Sequence, residues 1–66
     1  MLLTINGTPT EIPAPCSILE YLRQKKLEPL HVVVERNGAI VPREQFASCT
    51  LGESDVVEIL SFVGGG

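Results

Sequence analysis

Short runs of apolar and β-branched residues recur along the chain, and twice an Asn-Gly pair stands between two of them. In "MLLTINGTPTEIP" the runs on either side of Asn6-Gly7 predict a hairpin, with strands at about 2–6 and 9–13, because Asn-Gly readily takes the positive φ angles of a tight hairpin turn. "HVVVERNG" reads as a third, β-branched strand, and the second pair, Asn37-Gly38, turns it into a short fourth strand at "AIVP". "REQFAS" is long enough for a single turn. "LGESD" is a loop of turn formers leading into the last strand, "VVEILSF".

One segment has helical spacing. Pro13 and Pro15 break the chain before "CSILEYLRQKKL", where Ser17 and Glu20 form a capping box and Cys16 with Tyr21 a hydrophobic staple. Ile18, Leu19 and Leu22 share a face, Leu27 lies off it, and Arg23, Lys25 and Lys26 suit the negative end of the helix dipole. Pro29 disfavours helix at Glu28, so a helix of about ten residues should end near Lys26 or Leu27. One helix among several strands predicts an α+β domain in which the helix covers one face of a small sheet. Periodicity does not fix the order of the strands.

Composition narrows the function. A chain of 66 residues forms one domain near the lower limit for independent folding, with little room for a deep catalytic pocket. Its 44% hydrophobic and 20% charged residues describe a packed body. The net charge of −3, with no basic patch beyond Arg23, Lys25 and Lys26, argues against a nucleic-acid partner. The longest wholly apolar run, Val32-Val33-Val34, is far short of the roughly 20 residues of a membrane span, and "MLLTING" lacks the features of a signal peptide, so a cytoplasmic protein unprocessed at its front is expected. Cys16 and Cys49 lie far apart with no CxxC pattern and, even with His31, fall short of a four-ligand metal site; they are expected to be free, partly buried thiols. His31 has no sequence neighbour to tune it and is expected to be structural or merely exposed.

The chain closes on "SFVGGG". Three consecutive glycines arise by chance in roughly 0.03% of positions at average usage, so accident explains them poorly, although a tag remnant or an idle flexible end stays open. Without Cβ, a diglycine end enters a narrow slot and offers only amides and one carboxylate. That carboxylate is ionised at neutral pH and inert as an acyl donor until activated. Attack on the α-phosphate of ATP would give an acyl-adenylate open to a sulfur or amine nucleophile. Nothing in the chain resembles a phosphate-binding Gly-x-x-x-x-Gly-Lys loop, so the tail would be substrate for an enzyme, and the chain no enzyme itself. Extended from Val63 to Gly66 it reaches at most about 14 Å, and ordering the glycines costs about 1–2 kcal/mol each, so a tail mobile when free and fixed when bound is expected.

With this tail beside "INGTP", "VVVERNGAIVPREQF" and "DVVEILSFVGGG", the chain closely resembles the sulfur-carrier proteins of thiamin biosynthesis, the ThiS family, over essentially its whole length. It departs from them at "LGESD", where a Gly-Asp pair is usual before the last strand. The resemblance implies a β-grasp, ubiquitin-like fold over residues 1–62, a mixed sheet of four to five strands with one helix across one face, followed by a flexible diglycine tail at 63–66. It implies that Gly66, at the end of Gly64 and Gly65, is adenylated by an ATP-using E1-like partner and converted to a thiocarboxylate. Its sulfur, supplied by a cysteine desulfurase or similar donor, passes to a thiazole synthase. No cofactor is expected on the chain itself, and the free protein is expected to be a monomer. A small subunit of molybdopterin synthase, a ubiquitin-like modifier and a plain binding module with an idle tail are the alternative readings.

Partners need a surface to grip. Along the last strand Val57 and Ile59 alternate with Glu58, Leu60 and Phe62, so one parity lines the core and the other faces out. Leu60 and Phe62 are expected to form an exposed apolar dock beside the tail, the opposite parity leaving them as core residues. Arg43, with Glu44 in the family-like motif after Pro42, is expected to contact the partner or else to pair locally in a solvated turn.

Overall fold

The computed structural model describes residues 1–62. The tail expected over 63–66, with Gly64, Gly65 and Gly66, lies outside the described residues. Strands β1 (Leu2–Ile5) and β2 (Thr8–Glu11) are followed by helix α1 (Ile18–Gln24) and a 3₁₀ turn at Pro29–His31. Strands β3 (Val32–Arg36) and β4 (Ala39–Ile40), a second 3₁₀ turn at Arg43–Gln45 and β5 (Val56–Ser61) complete the described chain. They form one sheet in the order β2-β1-β5-β3-β4. β1 runs parallel to β5 and the other neighbouring pairs are antiparallel. This is the β-grasp arrangement.

Both Asn-Gly pairs make the predicted hairpins, with φ of 51° and 78° at Asn6 and Gly7 and 51° and 88° at Asn37 and Gly38. Positive φ at both central residues is what a type I′ hairpin turn demands. The two asparagine side chains do more than turn the chain. Asn6 Nδ2 donates to the Ile59 carbonyl (3.2 Å) and Asn6 Oδ1 accepts from the Ile59 N–H (2.7 Å). Asn37 Oδ1 accepts from the Val56 N–H (2.9 Å), and its Nδ2 donates to Asp55 Oδ1 (3.1 Å). Each hairpin thus clamps the last strand. Asn6→Gly keeps the turn conformation but loses both clamp bonds, so it should cost about 1 kcal/mol. Asn6→Ala, strained as well by positive φ, should cost about 2–3 kcal/mol. Urea unfolding checks this, and a glycine variant as stable as the parent would show the clamp to be without effect.

Some predicted boundaries shift for identifiable reasons. β2 ends at Glu11 and not near Pro13: Ile12 still donates to the Met1 carbonyl (2.9 Å), but Pro13 has no N–H with which to continue the ladder. The capping box forms as read, with the Glu20 N–H donating to Ser17 Oγ (3.0 Å) and the Ser17 N–H to Glu20 Oε1 (2.8 Å). The helix is only 7 residues, shorter than expected. It closes in a Schellman motif: Lys26 takes φ of 59°, its N–H donates to the Arg23 carbonyl (3.0 Å), and the Leu27 N–H donates to that of Leu22 (2.8 Å). Its core face is Ile18, Tyr21 and Leu22, while Leu19, placed by spacing on that face, is half-buried.

The core lies between helix and sheet. Leu3 and Ile5 of β1, Val32 and Val34 of β3, and Val57 and Ile59 of β5 all point to the helix side and are buried. Ile12, Phe46 and Leu51 close the ends. Leu22 and Val34 are 0% exposed, and each such side chain contributes about 1.5–3 kcal/mol by leaving water. "LGESD" is held by Asp55, itself buried, whose Oδ2 accepts from the Gly52 N–H (2.8 Å) and Arg36 Nε (2.9 Å). No helix among the described residues is long and apolar enough to cross a membrane.

Candidate functional site

The parity of β5 is set by its neighbours. With Val57 and Ile59 drawn into the core, Val56, Glu58 and Leu60 face away from the helix. Leu60 is 60% exposed and Phe62 44% exposed, the outward orientation expected from the alternation. Val33 of β3 stands directly opposite Leu60, and Glu35 opposite Glu58. Ile40 of β4 stands opposite Glu35 on its other side, and Thr4 of β1 opposite Val56. The sheet therefore presents an outer face with exposed Val33, Ile40, Val56 and Leu60 upon it.

The strand pairing continues one residue past β5. The Phe62 N–H donates to the His31 carbonyl (2.9 Å), and the two rings stand tilted at 58° with centroids 6.2 Å apart. His31 is exposed and packs on the last described aromatic, which fits the expectation of a structural or surface histidine. Arg43 reaches the same end of β3 from the other side. Its Nε donates to the Pro29 carbonyl (3.1 Å), tying the second 3₁₀ turn to the first. This is the local pairing weighed against partner contact, although the terminal guanidinium nitrogens have no hydrogen-bond partner among the described residues. A groove of about 180 Å³ runs beside β3, lined by Val33, Ile40, Pro42, Arg43 and Glu44 among others. It holds no nucleophile paired with a base.

Neither cysteine belongs to this face. Both are free and half-buried. Burial, and then the charge of Glu20, push the Cys16 thiol up, away from the reactive thiolate. Cys49 Sγ accepts from Arg36 Nη1 (3.4 Å) at the edge of the Asp55 network. Among the described residues no three of His, Cys, Asp or Glu are placed to hold a metal ion. Spacing alone does not reveal the apolar neighbours Val33, Ile40 and Val56, because they join Leu60 only through the strand order.

This sheet order, with a helix on one face and an exposed, partly apolar face opposite, defines a β-grasp protein of the ubiquitin-like type. The sequence profile of the ThiS family matches residues 3–66, and the chain belongs to that family. The thiazole synthase of Paramagnetospirillum magneticum is 35% identical over 66 residues, all of this chain but 20% of that one. The chain thus spans about a fifth of the length of the thiazole synthases it matches. The sulfur carrier protein ThiS of Bacillus subtilis is 42% identical over 50 residues, 76% of each chain. The crystal structure of the thiamine biosynthesis protein ThiS from Geobacter metallireducens superposes with a TM-score of 0.84 at 38% identity, covering 100% of both chains.

Proposed function

We propose that the chain is a sulfur carrier for thiazole formation in thiamin biosynthesis, a protein co-substrate and not an enzyme. The match of residues 3–66 to the ThiS family, glycine end included, carries this reading. The Gly66 carboxylate oxygen attacks the α-phosphorus of ATP held by an E1-like partner, and pyrophosphate leaves. The terminal sulfur of a persulfide, loaded by a cysteine desulfurase or similar donor, then displaces AMP from the carbonyl, and a thiol cleaves the resulting acyl disulfide, which releases a mixed disulfide and leaves a thiocarboxylate. Its sulfur is polarisable and nucleophilic, as in a thiolate, and passes to a thiazole synthase. A stretch similar to this whole chain within proteins named thiazole synthase supports that pairing. Gly64 and Gly65 give the narrow reach, while Leu60, Phe62 and Arg43 are docking residues. The carrier itself binds no cofactor, is a monomer when free, and works in the cytoplasm, where ATP and reduced thiols are available.

Mass spectrometry of the intact protein tests this directly. After incubation with the E1-like enzyme, ATP, a cysteine desulfurase, cysteine and a thiol reductant, the mass should rise by the exchange of one oxygen for one sulfur, with the change confined to Gly66. Absence of both this species and the adenylate would defeat the carrier reading. Gly66-dependent conjugates to lysines as the main product would show a protein modifier instead.

A further inference from the structure

The outer face of the sheet carries an arrangement of charge that works against the fold. The register of β3 on β5 sets Glu35 directly opposite Glu58, and like charges so placed weaken a strand pair. No hydrogen bond or ion pair satisfies either carboxylate among the described residues, where the ion pairs join Met1 to Glu11 and Arg36 to Asp55. Glu58 is exposed and Glu35 half-buried. Exposed aliphatic side chains frame the two acids: Val33 and Leu60 at the next pair along, Ile40 across from Glu35, and Val56 below Glu58. The basic residues of the chain are placed elsewhere. Arg23, Lys25 and Lys26 belong to the helix end, Arg43 to the Pro29 turn, and Arg36 bonds Asp55.

We propose that this face docks a partner protein that seats an arginine between Glu35 and Glu58, with apolar side chains packed on Val33, Leu60 and Ile40. Charge complementarity selects the occupant: two opposed carboxylates in an apolar frame offer a planar, five-donor guanidinium an acceptor on each side. A second copy related by a twofold axis would set acids against acids, and a bilayer with anionic headgroups would be repelled. The apolar frame supplies area and the acid pair supplies selection, since a partner without the cation leaves both charges unpaired as water is excluded. The proposal rests on the carrier reading for the identity of the proteins that bind.

The test uses the full chain and two purified probes, the E1-like adenylating enzyme and the thiazole synthase, titrated by calorimetry at about 0.05 M and about 0.5 M salt. At low salt the E35Q/E58Q double variant should bind about tenfold more weakly than the parent, with most of the salt dependence gone. In isolation its melting temperature should be about 2–6 °C higher, because the cross-strand repulsion is relieved. Opposite signs in the two measurements mark a surface kept for binding. Glu58→Lys, which makes an internal Glu–Lys pair and repels the incoming cation, should also stabilise the free protein and should lose binding more completely. If both variants bind like the parent, the docking proposal is overturned alone. It is also overturned by a concentration-dependent dimer that E35Q/E58Q tightens. If the parent binds neither enzyme, the carrier reading fails and the docking proposal with it.

Discussion

One alanine added after Gly66 is expected to lower ATP-dependent adenylation by about 10²-fold or more while leaving the folded body intact. The proposed reaction takes place at one carboxylate, and alanine moves that group a residue away from the α-phosphate and puts a methyl group where a slot for glycine leaves no space. Misplacement of a reacting atom by about 1 Å already reduces rates on the order of 10²-fold. The unfolding midpoint should move by no more than about 3 °C, as for most surface changes. Pyrophosphate exchange with the E1-like enzyme measures the first effect and thermal unfolding the second. Unchanged exchange would show that the terminal carboxylate is not the reacting group.

Asp55→Ala should have the largest effect on stability, about 3 kcal/mol, or a melting temperature lower by about 10–20 °C. One carboxylate accepts from Arg36 Nε, Asn37 Nδ2 and the Gly52 N–H, so its removal leaves a half-buried cation and two donors unpaired. Asp55→Asn keeps the shape and should lose less. The same carboxylate predicts the acid limb of stability. Burial pushes the Asp55 carboxyl up, but the bonds from Gly52, Asn37 and Arg36 outweigh it and hold the group below its ordinary range. A folded pKa lower than the unfolded one gives stability that is complete above about pH 4 and is lost as pH falls through the folded pKa. Urea midpoints between about pH 5 and pH 2 should therefore fall less steeply for Asp55→Asn than for the parent.

The local parts of this fold were legible because adjacent residues make them. Ser17 and Glu20 cap the helix through bonds spanning three positions, and both hairpins follow from Asn-Gly pairs. The alternation of β5 sent Leu60 and Phe62 outward, against the alternative of a shifted parity. The helix end was harder to place, since a lysine at positive φ gives no glycine signal. Burial of Tyr21 in preference to Leu19 depends on where the sheet lies, which helical spacing does not contain. Contacts between distant segments had no local signature at all. Asn6 on Ile59, Asp55 on Arg36 and Glu35 opposite Glu58 exist only because β5 inserts between β1 and β3. For the candidate site, Gly66 is an expectation from its chemistry and the resemblance, and it lies outside the described residues. The bond from Arg43 to Pro29 spans 14 positions and required the fold.

The placement of β5 has a mechanical consequence. A pull on the end of β5, as the proposed handling by partner enzymes would apply, runs along that strand, which lies parallel to β1 and antiparallel to β3 near the middle of the sheet. Tension along β5 loads the hydrogen bonds on both flanks in shear, so they share the load and must fail together instead of unzipping one by one. The Asn6 and Asn37 clamps add bonds that slide against the same pull. A partner can therefore draw on the end of this small domain while the body behind it stays folded.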